Sequence, residues 1–356
     1  MKRICFIGGY SNGGTETATF FAANMLSSTY KIYLLNVSEC TPTCYLKENI
    51  VLDSIKIDNS IIRKCFEIYQ YIKRNHIDIV VNVEADIGLF TIPISLIYKK
   101  CKYIIWEHAN LFQIHNRFIP YIRRYTIDHF DKYILLTERD KKNFINKYGN
   151  SDKYEVIYNS VELPDEAEYS LNSKIIISAG HHFPIKNFRI IPDVGKIVFS
   201  KHPDWQWEIY GAKRGDEYEN LMQKIKCNGL EQNIILKDRS NNMSSVYRKS
   251  AVYVLTSLME GLPMVLLEAK SYKLPIVSFD IETGPDEIID NGINGYLIEP
   301  YNIEAMADRI CDLIENPELR KQFSDNAYIG IDKFDKYRIL GKWINVLESL
   351  EETGNE

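Results

Sequence analysis

Residues 158–173 read "YNSVELPDEAEYSLNS", and residues 174–180 read "KIIISAG". The first stretch carries Pro164, Asp165 and three glutamates with no apolar period, which marks a linker. The second is a β-branched run closing on a glycine, as a buried strand feeding a turn does. Together they decide the fold, because one α/β alternation stops before them and another starts after. Upstream, "KRICFIG", "KIYLLNV", "IDIVVNV", "KYIIWEH" and "KYILLTE" are strand-like. They are separated by segments of helical period such as "TETATFFAANMLSS" and "IIRKCFEIYQYIKRN". Downstream, "WQWEIYG", "NIILKD", "AVYVLTS", "PIVSFD" and "GYLIEP" repeat the pattern. Nearly all-apolar strands alternating with helices imply parallel sheets covered on both faces. The expected fold class is α/β: two doubly wound, Rossmann-like domains facing a cleft, 1–160 and 161–334. An amphipathic helix, "DKYRILGKWINVLESL", follows from residue 335.

The chain has 356 residues, 45% hydrophobic and 26% charged, an ordinary globular composition long enough for two cores. "MKRICFIGGY" reads as a first strand, not a signal peptide. The longest apolar candidate, "DIVVNVEADIGLFTIPISLIY", is interrupted by Glu84 and Asp86, so no membrane-spanning helix is expected. The seven cysteines are scattered, and the nearest pair, Cys40 and Cys44, has no second pair to complete a zinc site. A reduced, cytoplasmic protein without a metal site is the expectation. Charge is uneven. Residues 1–160 hold 21 Lys and Arg against 16 Asp and Glu, and the remainder hold 22 against 32. No nucleic-acid motif accompanies the basic half. "NRFIPYIRRY" (116–125) mixes Arg117, Arg123 and Arg124 with aromatic and aliphatic residues. That mixture suits either an ordinary amphipathic helix or a seat on an anionic membrane at the inner face.

In open α/β sheets, ligands bind at the carboxyl ends of strands, so the loops there carry the chemistry. "GGYSNGGTE" (8–16) puts Gly13 and Gly14 at a helix start, where backbone can approach a phosphate. "WEHAN" (106–110) puts Glu107, His108 and Asn110 at a strand tip. "SAGHHFPIKN" (178–187) places Lys186 at a loop-to-helix junction as a fixed positive charge; His181 and His182 have no partners at metal-ligand spacing. "EGLPMVLLEA" (260–269) sets two acids, Glu260 and Glu268, eight positions apart around an expected helix at 263–270. Backbone N–H groups around Gly261, Leu262, Pro263 and Met264 suit a phosphate, and Glu268 can accept two vicinal hydroxyls.

This run of features resembles the family 4 retaining glycosyltransferases, which have the GT-B fold. The likeness rests on Glu260-x7-Glu268, "TGPDEII…NGINGYLIEP", Lys186, "NGGTE", "WEHAN" and "YNSV", and it is strongest over about 175–300. It implies that Glu268 binds a ribose, Glu260 the donor-sugar hydroxyls, and Lys186 the diphosphate. It implies further that Gly14 approaches the phosphates from the first domain, that His108 lies near the anomeric carbon, and that the helix from 335 to 356 packs back on the first domain. Arg239 and His181 join the expected donor-binding set. Here the sequence departs from the family, which often has Arg where His181 stands. The usual glycine of the base-binding loop is Asp238, and "GAKRG" replaces the usual Gly-x-Gly near 211.

The expected activity is metal-independent, cofactor-free transfer of a sugar from a nucleotide diphosphate donor, a UDP-sugar in the first instance. The expected acceptor is a glycan or polyprenyl-linked glycan in capsule, lipopolysaccharide or exopolysaccharide assembly. The alternatives are a UDP-sugar 2-epimerase of the same architecture and a non-catalytic nucleotide-sugar binding protein.

Overall fold

The computed structural model describes residues 1–352 except 11–12, 39–44, 56–59 and 115. Asn12 of "NGGTE" and the Cys40/Cys44 pair therefore lie outside the described residues. The chain forms two compact units, Met1–Ser160 with Phe334–Glu356, and Val161–Lys333.

The first unit holds seven parallel strands: β1 (Arg3–Gly8), β2 (Lys31–Asn36), β3 (Val51–Ser54), β4 (Ile79–Val83), β5 (Lys102–Trp106), β6 (Lys132–Leu135) and β7 (Tyr154–Val156). Their order is β3-β2-β1-β4-β5-β6-β7. All five residues of β4 are buried, as a central parallel strand requires. The helices α1 (Gly14–Leu26), α2 (Ile61–Arg74), α3 (Gly88–Ile97), α4 (Ile119–His129) and α5 (Glu138–Tyr148) connect the strands. The order reverses between β1 and β4, and there the two strands leave the sheet in close contact. A Cβ on Gly8 would lie 2.9 Å from Val83 Cβ, so only glycine ends β1 without displacing β4.

The second unit repeats the plan with β8 (Ile175–Ala179), β9 (Gln206–Tyr210), β10 (Ile234–Lys237), β11 (Val252–Leu255), β12 (Ile276–Phe279) and β13 (Gly295–Ile298), in the order β10-β9-β8-β11-β12-β13. Its helices are α6 (Ile191–Lys201), α7 (Asp216–Cys227), α8 (Met243–Arg248), α9 (Met264–Ser271), α10 (Pro285–Ile288), α11 (Ile303–Glu315) and α12 (Pro317–Asp325). The reversal here falls between β8 and β11. A buried core of Ile176, Val194, Trp207, Val254 and Ile310 closes the layers.

The last helix, α13 (Lys336–Glu352), belongs to the first unit. Its Trp343 is fully buried, edge-on to Trp106 at 4.9 Å and to Phe6 at 5.9 Å. An aromatic cluster of this size anchors a helix through buried area as well as ring geometry. Among the described residues, no helix is long and apolar enough to cross a membrane.

The stretch 116–125 departs from the membrane-facing expectation at Arg123, which is 1% exposed. Arg123 Nε binds Glu107 Oε2 at 3.0 Å, and its other nitrogens donate to the Leu111 and Asn110 carbonyls. Arg124 pairs with Asp128 on the surface. The exposed groups of this region are instead Phe112, Ile114, Phe118 and Tyr121, with Arg117 over the Phe118 ring. Residue spacing gave α4 an apolar and a basic side, but a buried acid one strand away turned Arg123 inward.

Candidate active site

At the β8/β11 reversal the two loops that leave the sheet are tied together. After β8, Phe183 O accepts from Lys186 N at 2.9 Å, closing a short turn over Pro184–Lys186. Asn187 then takes a left-handed conformation, φ 52° and ψ 34°, which Asn tolerates better than most residues. From the other loop, Thr256 Oγ1 donates to Lys186 O and Leu258 N to Ile185 O, both at 2.9 Å. The Lys186 backbone is thus fixed by bonds that do not involve its side chain. Its ammonium reaches across to Glu260 Oε1 at 2.5 Å, with both side chains partly exposed. Thr283 Oγ1 donates to Glu260 O, which ties the loop after β12 to the same place.

Glu260 lies in the loop ahead of α9, not on the helix. The expected start at Pro263 is one residue early: Pro263 is the N-cap, in an extended conformation, and makes no side-chain cap bond. The two acids therefore do not share a helical face; a loop presents one and a helix the other. Gly284, at φ 103°, packs against this loop so closely that a Cβ would sit 2.6 Å from Pro263 Cδ and 2.8 Å from Gly261 O. That contact fixes Gly261, Leu262 and Pro263, and it accounts for the glycine of "TGPDEII". Leu262 and Met264 are buried.

Glu268, on α9, keeps some exposure and accepts from Tyr247 Oη at 2.6 Å. Burial raises its pKa, and the tyrosine bond works against that rise. Tyr247 was invisible to sequence reasoning, being 21 positions away on α8. Arg239, after β10, places Nη2 2.9 Å from His181 Nδ1. His181 thus has a guanidinium beside it, delivered from 58 residues further on. His182 packs edge-on against Phe188 and Tyr218, with both ring nitrogens buried and without a hydrogen-bond partner among the described residues. Gly211 leaves room for it, since a Cβ there would meet His182 Nε2 at 2.8 Å and Gly180 O at 2.4 Å.

In the first unit, Gly13 caps α1 without a side-chain bond, and Gly14 opens it. Glu107 is a structural acid: besides Arg123 it accepts from Tyr133 Oη at 2.8 Å. Asn110 is buried, and its side chain accepts from Phe112 N and Gln113 N, holding the loop. His108 differs from both. It is 8% exposed, packs 4.3 Å from the Trp106 ring, and its Nε2 has no partner among the described residues. Burial lowers its pKa to about 3, so the imidazole is neutral at physiological pH.

One cluster of metal-ligand type occurs among the described residues: His202, Cys311 and Glu315, with ligand atoms within 4.8 Å of one another. It lies at the end of α6 and on α11. Because α6 carries the chain from the carboxyl ends of the strands back toward their amino ends, the cluster stands apart from the loops above.

Residues 161–329 match the family described as glycosyl transferases group 1. An uncharacterized glycosyltransferase of Haemophilus influenzae is 31% identical, over 98% of this chain and all of that protein. The amylovoran biosynthesis glycosyltransferase AmsD of Erwinia amylovora is 29% identical, over 97% of this chain and 99% of that protein. Among solved structures, a TarM variant from S. aureus in complex with fondaparinux, alpha-GlcNAc-glycerol and UDP superposes with a TM-score of 0.84 at 16% identity. That likeness covers 97% of this chain and 99% of the other. HepE of Anabaena, in complex with UDP and glucose, gives 0.84 at 17% identity, covering 98% and all of the two chains. These structural likenesses show two parallel-sheet Rossmann-like domains of the GT-B kind.

Proposed function

The chain belongs to the group 1 glycosyl transferases, and on that premise we propose that it is a retaining, family 4-type enzyme that moves a sugar from a UDP-sugar to a glycan or polyprenyl-linked acceptor in surface polysaccharide assembly. The observation that carries this reading is the Lys186–Glu260 pair on locked backbone, beside the start of α9, whose N-cap is Pro263. A leaving nucleoside diphosphate develops negative charge, and preorganised donors aimed at it are the largest single source of rate. Lys186 and the first N–H groups of α9 would hold the diphosphate, with Arg239 beside His181 adding a second positive charge. Glu268, already oriented by Tyr247, would accept the ribose hydroxyls, and Glu260 the hydroxyls of the transferred sugar. His108, neutral and with no partner for Nε2 among the described residues, suits a contact with a sugar hydroxyl. With these cations in place the reaction needs no divalent metal, and no Asp-x-Asp pair is present to bind one.

The names of relatives support the polysaccharide context: AmsD acts in amylovoran biosynthesis, and another relative, from Staphylococcus aureus, is a poly(ribitol-phosphate) alpha-N-acetylglucosaminyltransferase. We place the enzyme in the cytoplasm, at the inner face of the membrane. Phe118 and Tyr121, exposed beside Arg117 and Arg124, support that placement. Each basic side chain near an anionic surface is worth about 1 kcal/mol. The chain should therefore cosediment with phosphatidylglycerol vesicles at low salt and be released at high salt. Equal attachment to neutral vesicles would refute the surface reading.

The test of the activity is a nucleotide-sugar panel. A donor at 100 times its dissociation constant should stabilise the protein by about 2.7 kcal/mol. The same donor should release free UDP when acceptor is added. UDP kept on the product sugar would mark an epimerase, and binding with no turnover on any acceptor a non-catalytic binder.

A further inference from the structure

We infer that His202, Cys311 and Glu315 form a binding site for a borderline-soft divalent cation, Zn²⁺ above all, apart from the loops around Lys186 and Glu260. The inference goes beyond the transferase reading and does not depend on it.

The first argument is placement. His202 is the C-cap of α6, just before β9 begins at Gln206. Cys311 and Glu315 lie about one turn apart on α11, so they share a face of that helix. The two helices pack on each other, with Val194, Val198, Ile310 and Ile314 in one buried core. The three side chains are therefore brought together by the fold itself, before any ion binds. Spacing along the chain hides this, since His202 and Glu315 are 113 positions apart.

The second argument is geometry. His202 Nε2 stands 3.0 Å from Glu315 Oε1. One ligand atom from each of the three residues lies within 4.8 Å of the other two. In a tetrahedral zinc site, with bonds of about 2.0–2.3 Å, neighbouring ligand atoms are roughly 3.3–3.6 Å apart. The imidazole–carboxylate edge is thus nearly formed. The edges to sulfur have at most about 1.5 Å to close, which side-chain torsions can supply. Cys311 is buried, while the Glu315 side chain is 57% exposed. The thiol makes the floor of the site and the carboxylate its open edge, leaving room for a water as fourth ligand.

The third argument is chemistry. Magnesium and calcium take oxygen ligands, whereas an imidazole and a thiolate together select zinc. A surface His–Glu pair accounts for two of the three groups, and an ion accounts for all of them. Burial raises the Cys311 pKa, Lys201 opposes the rise, and Glu315, Asp308 and Asp312 add to it. The thiol therefore keeps its proton until the ion displaces it to solvent. The same three carboxylates that disfavour a bare thiolate favour a cation, although Arg309 already engages Asp312.

The test uses the full chain, stripped with EDTA, dialysed, and titrated with ZnCl₂ or CoCl₂ alone. Calorimetry should show one zinc equivalent with a Kd on the order of 1 µM or below and release of about one proton. MgCl₂ and CaCl₂ should give no binding. Cobalt should develop a thiolate charge-transfer band in the near ultraviolet. His202→Ala and Glu315→Ala should each weaken zinc binding at least about tenfold, since even a lost outer-shell partner costs that much. Cys311→Ala should abolish the cobalt band. Cys311 belongs to the core, so if that variant fails to fold, the wild-type cobalt spectrum and the other two variants decide. No zinc binding, cobalt bound without the thiolate band, or zinc affinity unchanged in His202→Ala and Glu315→Ala would each overturn the inference, the last by placing the ion elsewhere on the chain.

Discussion

Lys186 offers the sharpest test of how the site works. Its ammonium is 2.5 Å from Glu260 in the resting protein, so its charge is already engaged before any phosphate arrives. Its backbone is held by Phe183, Thr256 and the neighbouring Ile185–Leu258 bond, none of which needs the side chain. Lys186→Ala should therefore fold. The pair is 22% and 12% exposed, between a surface and a buried ion pair. Losing it should cost about 1 kcal/mol, a shift of roughly 2–4 °C in melting temperature. The effect on turnover should be far larger. Removing one preorganised donor from a charge-stabilising site costs about 10²–10³ in rate, roughly 2.7–4 kcal/mol. Glu260→Gln separates the two roles of the pair. It removes a carboxylate that competes with phosphate for Lys186, so UDP should bind about 3–10 times more tightly, a gain of order 1 kcal/mol. Turnover should nevertheless fall, because the sugar loses its acceptor group. The assay is UDP release at saturating donor, with calorimetry for UDP, in the presence of EDTA and again with Mg²⁺. Near-normal turnover of Lys186→Ala, loss of wild-type activity in EDTA, or weaker UDP binding by Glu260→Gln would each refute the argument.

Glu268→Ala should weaken UDP binding itself by about 1.5–3 kcal/mol, the worth of a charge-assisted hydrogen bond; unchanged affinity by calorimetry would remove Glu268 from the nucleotide site. Arg123→Ala strands Glu107 in the core and should destabilise the protein by about 3–5 kcal/mol in thermal unfolding; a loss below 1 kcal/mol would mean that Glu107 finds another partner. Glu84 makes a pH prediction. Its pKa rises from 4.5 to about 8 on folding, so the folded state holds the proton more tightly. Its contribution to stability is complete below about pH 4.5 and is lost as pH rises through 8. Glu84→Gln abolishes that titration. Its melting temperature relative to wild type should therefore climb across the window, and parallel curves from pH 5 to 9 would contradict the shift.

Much of the fold was legible because parallel strands are uniformly apolar and helices periodic, and a run of acids around Pro164 separates two such series. Loop chemistry was legible where glycine and proline constrain the backbone, as at Gly261–Pro263. Pairings across the sheet were not. Arg123 and Glu107 are 16 positions apart, Tyr247 and Glu268 are 21, and His181 and Arg239 are 58. Spacing along α4 indicates which side of the helix Arg123 occupies, but not whether an acid waits beneath it. Glu84 was hidden for another reason. In sequence it is a charge that interrupts an apolar run, which is useful for excluding a membrane helix and silent about the positive backbone angle, φ 77°, that the fold gives it.

The charge distribution sets a puzzle that these pairings resolve. The basic excess lies in residues 1–160 and the acidic excess in the remainder, yet the reading developed above gives the diphosphate to the acidic half. Net charge acts through solvent and is screened over about 8 Å at physiological ionic strength. A phosphate at a strand end responds to the few groups within that distance. In the first unit, many cations are spent on neighbours: Arg123 on Glu107, Arg124 on Asp128, Lys102 on Asp131, Lys132 on Glu155. In the second unit the acids are spread over helix surfaces such as α7 and α11, while Lys186 after β8, Arg239 after β10 and the start of α9 stand at the carboxyl ends of the strands. The two reversals thus differ in chemistry although they share a topology. One gathers positive charge. The other holds an acid with a raised pKa and a neutral histidine. A charge swap tests that division: Glu84→Lys should confer UDP binding on the first unit no better than background, because a single cation beside the start of α1, without a second positive group, makes no diphosphate site. A second UDP equivalent in calorimetry would show that charge alone decides what binds there.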